Sequence, residues 1–460
     1  MISQIATRVL ILAVCLLLGA ALPVLADAGR SYREKAEAQM DYIQAHFYDA
    51  SSGRYHAESP EKPGGLPYSF MWENGVQLRA LVDAAHSDPA KYAPILDAFA
   101  EALQKYYWDP VGPNPGFNAY CSGPGGDDKY YDDNAWLVLG FEEAYQQTKD
   151  PKYLKWANET QRFVLSGWDD KLGGGLYWSL KHNSKNTCVT APASVGALRL
   201  SLLNEPDQRV WGTRLRDWTN ANLQDKTDSL YWDNVRLDGS VEKTKWTYNT
   251  ALMIESDLVM YQITKGPKQL AAAERLADAS LKEWQDPDTG RFQNDAKFTH
   301  LLCESLIQLY QVDHNTAYLN AVRRNAAFAT QHVYDAAGGG YWGNWGAKTR
   351  KTDERKDLLE NASVARLFWM LAPYEDSGEL LARGVSLAGQ GRDAQAEPLL
   401  RQAADSDTEA VEARYRLWKV LVREKKGANA AAQDAILVKK AQDPDLRKRL
   451  EAVGWKAPGQ

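Results

Sequence analysis

The sequence has little histidine, little cysteine and no excess of positive charge, and each shortage excludes a class of function. Seven His among 460 residues leave few bases for paired proton transfer. The formal net charge of −6 provides no basic surface, so no nucleic-acid partner is expected. The widely spaced cysteines form neither a disulfide framework nor a zinc pattern. For Cys121, Cys188 and Cys303, one disulfide and three buried thiols both fit the spacing.

Long hydrophobic runs are also scarce. The one near the start, residues 9–22, has about 14 residues, whereas a membrane span needs about 20. Arg8 precedes this run, and Val24-Leu25-Ala26 provides a cleavage site after Ala26. Residues 1–26 are therefore predicted to be a secretory signal. We expect the rest of the chain to be exported, to the periplasm or the outside, without a membrane span.

Aromatic residues with a polar atom are abundant, with 16 Trp and 23 Tyr against 10 Phe. Such rings suit a wall that is both apolar and wet, as in a carbohydrate cleft. The alternative is that they pack a large core.

A turn containing aromatic residues, Asp and usually Gly recurs along the chain. Asp hydrogen-bonds its own backbone in such turns, and Gly accepts a positive φ. Successive copies are roughly 50 to 60 residues apart, as expected for an internal repeat. The six copies lie at residues 47–55, 107–117, 168–178, 231–239, 284–292 and 334–342.

Each turn lies between two predicted helices, the first amphipathic and the second more apolar. The first members are predicted at residues 31–46, 90–106, 152–166, 207–223, 268–283 and 317–332. The second members are predicted at residues 72–86, 133–147, 192–204, 248–263, 297–312 and 361–373. Six such hairpins predict an all-α fold, an (α/α)6 barrel with an inner and an outer ring of helices, over residues 27–374. An open helical solenoid is the alternative.

The remaining residues, 375–460, lack the aromatic turns. They are predicted to form a small helical extension that weakly resembles tetratricopeptide hairpins. This extension either packs on the barrel or docks a protein partner.

In a closed barrel the six turns and the N-termini of the inner helices gather at one end. Two adjacent carboxylates, Asp132 and Asp133, open the second inner helix, between the rings of Tyr131 and Trp136. One of them is expected to be the N-cap, near the positive end of the helix dipole. The dipole favours ionisation, whereas each carboxylate resists ionisation of the other. One charged and one protonated acid between aromatic rings indicate a glycosidase.

Two other acid pairs fit simpler explanations. Asp127-Asp128 follows two glycines and is interpreted as a solvated turn. Asp169-Asp170 belongs to the recurring turn and is interpreted as structural.

Two further inner-helix starts combine aromatic rings with an amide, a combination that meets both the face and the hydroxyls of a sugar. They are Trp72 with Asn74, and Trp246 and Tyr248 with Asn249. The alternative is that the two asparagines only cap their helices.

The stretch Tyr130-Tyr131-Asp132-Asp133-Asn134-Ala135-Trp136 resembles the double-aspartate signature of glycoside hydrolase family 76, the endo-α-1,6-mannanases and their fungal cell-wall relatives. Three further stretches agree in order, residues 173–178, 246–249 and 361–367. The resemblance covers roughly residues 30 to 373 and differs from the family pattern around residues 187–189 and 250–251.

The resemblance implies the (α/α)6 barrel and hydrolysis with retention, with Asp132 as nucleophile and Asp133 as acid/base. Retention by double displacement needs carboxyl groups about 5–5.5 Å apart and no metal or organic cofactor. The expected substrate is a polysaccharide or oligosaccharide of α-1,6-linked mannose. Substrate contacts are expected from Trp72, Asn74, Tyr131, Asn134, Trp136, Tyr177, Trp246, Tyr248 and Asn249.

Three alternatives remain open. A transglycosylase would use the same two aspartates with a sugar as acceptor. A non-catalytic glycan-binding protein on this barrel would use the rings without the acids. A sugar epimerase would need a pair of bases such as His, but only His300 lies at an inner-helix start, where we expect it on the rim.

Overall fold

The protein is mostly helical in a computed structural model. The structure describes residues 30–123, 125, 128–203, 205–347, 354–375, 377–406, 411–442 and 444–456. The predicted signal, residues 1–26, and Asp127 of the predicted solvated turn lie outside these residues. Within them, no helix has the length and hydropathy needed to cross a bilayer. The chain divides into two compact units, Met1–Met370 and Leu371–Gln460.

Within its described residues, the first unit contains six helical hairpins, each an outer helix followed by an inner helix. In chain order the pairs are α1 (Tyr32–His46) with α2 (Met71–Ser87), α3 (Pro89–Tyr106) with α4 (Tyr131–Thr148), α5 (Pro151–Leu165) with α6 (Thr187–Ser201), α7 (Pro206–Asn222) with α8 (Thr247–Thr264), α9 (Pro267–Trp284) with α10 (Ala296–Asp313), and α11 (Thr316–Phe328) with α12 (Leu358–Leu371). Four outer helices begin with proline, because the first helical position needs no backbone N–H.

The inner helices form the core of this unit. Almost every residue of α6 and α8 is buried. Outer helices such as α5 bury one face only, as their amphipathic pattern predicts. The neighbouring inner helices α2, α4, α6, α8 and α10 pack against each other in that order.

The first and sixth hairpins meet and close the ring. Strand β3 (Glu58–Ser59) pairs antiparallel with strand β9 (Lys356–Asp357). The Gln39 side chain donates to Asn361 Oδ1 at 2.9 Å, and the ring of Tyr32 stacks on Phe368 with centroids 6.4 Å apart. The predicted (α/α)6 barrel is confirmed, and the open solenoid is excluded. We call the end formed by the inner-helix N-termini and the aromatic turns the mouth.

In four of the six hairpins the side chain of the fourth residue of the inner helix bonds the backbone of the aromatic turn. This residue is Asn or Thr in every hairpin: Asn74, Asn134, Thr190, Thr250, Thr299 and Asn361. In α4, for example, Asn134 Oδ1 accepts from Phe117 N at 2.8 Å and Asn134 Nδ2 donates to Phe117 O at 3.0 Å. Asn361 holds Tyr341 in the same way. These side chains therefore attach the turns to the core.

A second repeated contact joins an aspartate of the turn to a lysine two residues before the inner helix. Lys185 Nζ bonds Asp169 Oδ1 at 2.6 Å and also three backbone carbonyls, with its side chain 0% exposed. The equivalent pairs are Asp109–Lys129, Asp225–Lys245 and Asp335–Lys356. Asp169 thus has the structural role that the sequence indicated.

Short strands connect the helices at the mouth. β1 (Tyr48–Asp49) pairs with β2 (Arg54–Tyr55), and β4 (Trp108–Asp109) pairs with β5 (Gly116–Phe117). β6 (Ser184–Asn186), β7 (Asn234–Arg236) and β8 (Val241–Glu242) form a three-stranded sheet. Lys171–Gly173 is a 3₁₀ turn, and a π turn, Ala329–Val333, extends α11.

The predicted start of α6 at residue 192 is wrong. Pro192 suggested a first helical position, but α6 begins at Thr187 and contains Pro192 in its second turn. The reason is tertiary: β6 pairs with β7 as far as Asn186, so the chain passes from strand to helix at the next residue.

Every inner helix contributes charged residues to a network inside the barrel. Its members are Arg79, Glu143, Arg199, Glu255, Glu304 and Arg366, with Glu142 paired to Arg199 and Asp83 paired to Arg366. Arg79 Nη2 lies 2.5 Å from Glu143 Oε1 and 2.6 Å from Glu304 Oε1. Arg199 joins Glu143 to Glu255, and Arg366 contacts Glu304. At 1.5 Å rise per residue, these groups lie roughly 10–16 Å below the first turns of the inner helices.

The second unit is a set of short helices, α13 (Ser377–Gly389), α14 (Asp393–Ser406), α15 (Val411–Arg423), α16 (Gly427–Lys440) and α17 (Pro444–Ala452). The first two pack closely at Gly384, where an added Cβ would lie 2.6 Å from the Leu400 side chain. Leu400, Leu417 and Leu421 belong to its core. A protein partner for this unit stays a prediction.

Candidate active site

The acid pair lies in the first turn of α4. Asp132 and Asp133 are the second and third residues of this helix, and both are half-buried. The prediction that one of them is the N-cap is wrong, because Tyr130 occupies that position without a side-chain cap. Tyr131 N donates instead to Trp178 O at 2.9 Å, so the loop across the mouth starts the helix early. The carboxylates remain at the positive end of the helix dipole.

Asp132 is held by three donors. Trp178 Nε1 donates to Asp132 Oδ2 at 2.7 Å, and the Asp133 amide donates to Asp132 Oδ1 at 3.0 Å. The Cys188 thiol donates to Oδ2 with Sγ at 3.6 Å. Burial raises the pKa of Asp132 to about 6, against the lowering effect of these hydrogen bonds. Asp132 is therefore mostly ionised at neutral pH, as a nucleophile must be.

A third carboxylate, Asp233, lies near this group. The Asn249 amide donates to Asp233 Oδ1 at 3.4 Å, and burial raises the pKa of Asp233. The charges of Asp233 and Asp132 both act on Cys188 and on Tyr248, which places the four side chains in one neighbourhood. No feature of the sequence separates Asp233 from the structural aspartates of the other turns.

Half-buried aromatic rings from several inner helices meet around Phe298 of α10. The ring centroids of Trp72, Trp246 and Tyr248 lie 5.6, 5.1 and 5.4 Å from that of Phe298. Trp136 continues the group, edge-on to Tyr248 at 6.3 Å. The structure thus brings together four of the rings predicted to contact substrate. Phe298, which the sequence analysis did not select, joins them.

Trp178 contacts the acid pair through Asp132. Its side chain is 44% exposed, and its ring lies edge-on to Tyr130 with centroids 5.0 Å apart. Glycines at positive φ precede it in the chain, Gly174 and Gly175, and side chains there would collide with Trp168 and Trp218. The turn therefore adopts a backbone that presents Trp178 to the acids.

Six of the predicted substrate contacts lie below the surface: Asn74, Tyr131, Asn134, Trp136, Tyr177 and Asn249. Asn74 bonds Ser69, and the Tyr177 hydroxyl donates to Asp169 Oδ2 at 2.7 Å. Tyr131 stacks on Phe163 with centroids 4.9 Å apart. These contacts support the turns. Asn249 contributes to the mouth indirectly, by donating to Asp233 Oδ1.

His300 is buried and is not on the rim, contrary to our expectation. Its Nδ1 lies 3.0 Å from Ala296 O. Burial, with the nearby charge of Arg366, lowers its pKa to about 3, so the imidazole is neutral. Its depth removes it from the paired proton transfer that an epimerase needs.

Known proteins resemble this chain over its barrel. The family model described as glycosyl hydrolase family 76 matches residues 31–378. A GH76 α-mannanase of Bacteroides thetaiotaomicron is 26% identical with a TM-score of 0.70, over 76% of this chain and 98% of that one. GH76A of Salegentibacter sp. HEL1_6 is an α-1,6-mannanase. An inactive variant with two adjacent aspartates replaced by asparagine, in complex with α-1,6-mannotriose, is 21% identical with a TM-score of 0.65, over 74% and 99% of the chains.

A curated relative is the meiotically up-regulated gene 191 protein of Schizosaccharomyces pombe. It is 28% identical over 228 residues, which cover 45% of this chain and 50% of that protein. The chain thus spans about half the length of this relative.

Proposed function

This chain belongs to glycosyl hydrolase family 76, and from that membership we propose that it is an exported, retaining and endo-acting hydrolase of α-1,6-linked mannan. One observation carries the proposal. Two adjacent carboxylates open an inner helix at the mouth, and one of them is fixed by an indole, an amide and a thiol. The Salegentibacter α-1,6-mannanase supports the assignment, since replacement of two adjacent aspartates accompanies its inactivity.

In the proposed reaction Asp132 attacks the anomeric carbon while Asp133 protonates the departing glycosidic oxygen. Asp133 then deprotonates a water that displaces Asp132 from the covalent intermediate, so the configuration is retained. The three donors to Asp132 stabilise its carboxylate form and orient it. The reaction needs only these two side chains and water.

The aromatic group around Phe298 and the exposed Trp178 supply apolar surface near the acids. We propose that sugar faces stack on Trp72, Trp246, Tyr248 and Trp178 and that Trp136 supports Tyr248 from below. Stacking of this kind holds successive sugars of a chain, as an endo-acting enzyme requires.

The test is release of reducing ends from α-1,6-mannan by the purified chain, compared with mannans of other linkages. Asp132→Asn and Asp133→Asn should each abolish turnover without lowering the melting temperature. Asp170→Asn is the matched control, because Asp170 also belongs to an adjacent pair but its side chain is 95% exposed. Full activity in either active-site variant refutes the assignment.

Product analysis separates the alternatives. Longer oligosaccharides at high substrate concentration, formed with retained configuration, identify a transglycosylase. Binding of α-1,6-mannotriose by the wild type without turnover identifies a glycan-binding protein.

A further inference from the structure

Three neighbouring inner helices place their second residues in one line: Asp132 on α4, Cys188 on α6 and Tyr248 on α8. Cys188 Sγ lies 3.6 Å from Asp132 Oδ2, and Tyr248 lies close enough to Cys188 for each side chain to act on the pKa of the other. The repeat of the barrel creates this line, because equivalent positions of adjacent inner helices are neighbours. Cys188 is 5% exposed, so packed protein atoms surround its side chain.

We propose that Cys188 is a positioning residue for the glycosidase reaction: its thiol holds the Asp132 carboxylate in its attacking orientation. The proposal rests on the proposed role of Asp132 as nucleophile. Cys188 touches the carboxylate and not the sugar, so it acts through Asp132 alone.

The thiol acts as a donor because it stays protonated. Burial, followed by the charges of Asp132 and Asp233, raises the pKa of Cys188 well above its ordinary value. A thiol is by itself a weak donor. Here the acceptor is an ionised carboxylate in a site of low exposure, and both conditions strengthen the hydrogen bond.

Cys188 and Trp178 hold the same oxygen from different elements. Both donate to Asp132 Oδ2, and Oδ1 receives the amide of Asp133. Trp178 stands on an exposed turn, whereas Cys188 belongs to a helix that is almost wholly buried. The thiol is therefore the contact that the buried core provides.

The contact also affects when Asp132 ionises. The titratable groups that face Asp132 are Asp133 on its own helix, Cys188, Tyr248, and Asp233 before β7. Of these, the Cys188 thiol donates to the ionised form of Asp132 and lowers its pKa. Loss of the thiol should therefore move the acidic limb of the kcat/KM profile to higher pH.

The first experiment measures kcat and KM against pH on an α-1,6-manno-oligosaccharide. We expect Cys188→Ala to lower kcat about threefold to tenfold, with a smaller change in KM, and to shift the acidic limb upward. Cys188→Ser keeps a donor and should retain most of the activity and the wild-type limb. Cys303→Ala is the matched control. Cys303 is also buried, but it contacts Asn325 of the outer helix α11 and not the acid pair. A Cys188→Ala profile that coincides with the wild-type profile overturns the proposal.

The second experiment needs no substrate and uses the wild type. The infrared S–H stretching band of Cys188, identified by difference from Cys188→Ala, should shift with pH as Asp132 titrates. The shift should vanish in Asp132→Asn, which cannot titrate, and persist in Cys303→Ala. A band that ignores pH overturns the proposal even if the enzyme is fully active. A titrating band in a chain without turnover supports the contact and refutes the proposed function.

Discussion

The ionised form of Asp132 lowers the free energy of unfolding, because burial favours the protonated carboxyl group over the carboxylate. Its raised pKa of about 6 means that the folded chain binds a proton that the unfolded chain has released. The associated stability is present below pH 4 and is lost as the pH rises through 6. An active site that trades stability for charge in this way is common among enzymes.

Asp132→Asn should therefore melt higher than the wild type at pH 8, by about 2–4 °C. Asparagine carries no charge, so the difference should disappear near pH 4, where both side chains are neutral. Thermal unfolding at the two pH values measures this, with Asp170→Asn as the exposed control. A lower melting temperature for Asp132→Asn at pH 8 would contradict the argument.

At this scale the sequence predicts the acids better than their neighbours. Adjacent carboxylates, flanking rings and a helix start are all local signals, and they locate Asp132 and Asp133. Trp178, Cys188 and Asp233 are 46, 56 and about 100 residues further on, and only the closed ring brings them to the acids. The buried asparagines are a related case. The sequence shows an amide beside a ring. Only the structure shows the hydrogen-bond partner of each amide, which is Ser69 for Asn74 and Asp233 for Asn249.

Among the elements, the turn between α5 and α6 depends on the buried lysine at its base. The Lys185 side chain is fully buried, and its Nζ donates to Asp169 and to the carbonyls of Lys171 and Gly174. Tyr177, next to Trp178, forms a bridge with Lys185. The lysine thus links the stability of the turn to the position of the indole that contacts Asp132.

Lys185→Met should destabilise the barrel by about 3–5 kcal/mol, because it leaves a partly buried carboxylate and several carbonyls without their partner. It should also lower kcat, since Trp178 loses its support. Urea unfolding and kinetics measure the two effects. The control is Lys181→Met, whose 61% exposed side chain pairs with Asp128 at the surface and should change stability by less than about 1 kcal/mol. Equal effects of the two variants would contradict the proposed role.

The predicted helix starts agree with the structure to within one residue where a proline determines them. Prolines start four outer helices, each one residue before the predicted start. The helices α4 and α6 begin earlier than predicted because strands and bridges at the mouth, such as β6 with β7, supply backbone partners that no local pattern reveals.

Across the whole molecule, the charged network connects all six hairpins. Burial raises the pKa of Glu255 to about 7, against the effect of Arg199. For Glu304, burial has the same effect, but the charges of Arg366 and Arg79 outweigh it and lower the pKa. The two carboxylates therefore contribute with opposite sign at pH 8. The contribution of Glu304 is present above its unfolded pKa, whereas that of Glu255 is lost as the pH rises through 7.

At pH 8, Glu304→Gln should destabilise the protein by about 3–5 kcal/mol, because two buried arginines lose a charged partner. Glu255→Gln should change the free energy of unfolding by less than about 1 kcal/mol, since Arg199 keeps Glu143. Unfolding in urea at pH 8 compares the two. A larger loss for Glu255→Gln would show that the ionisation of the network is assigned incorrectly.

The pairing of β3 with β9 and the stacking of Tyr32 on Phe368 place the start and the end of the barrel side by side. Because these two ends are close, the barrel should fold from a gene that begins at a different hairpin, as a circular permutant does. The permuted gene would join residue 370 to residue 31 through a short linker and open the chain at the exposed Lys265. The encoded protein should have the circular dichroism spectrum and the cooperative melting of the unpermuted barrel, residues 31–370. Hairpin order along the gene can thus be rotated while the arrangement of hairpins in space is kept.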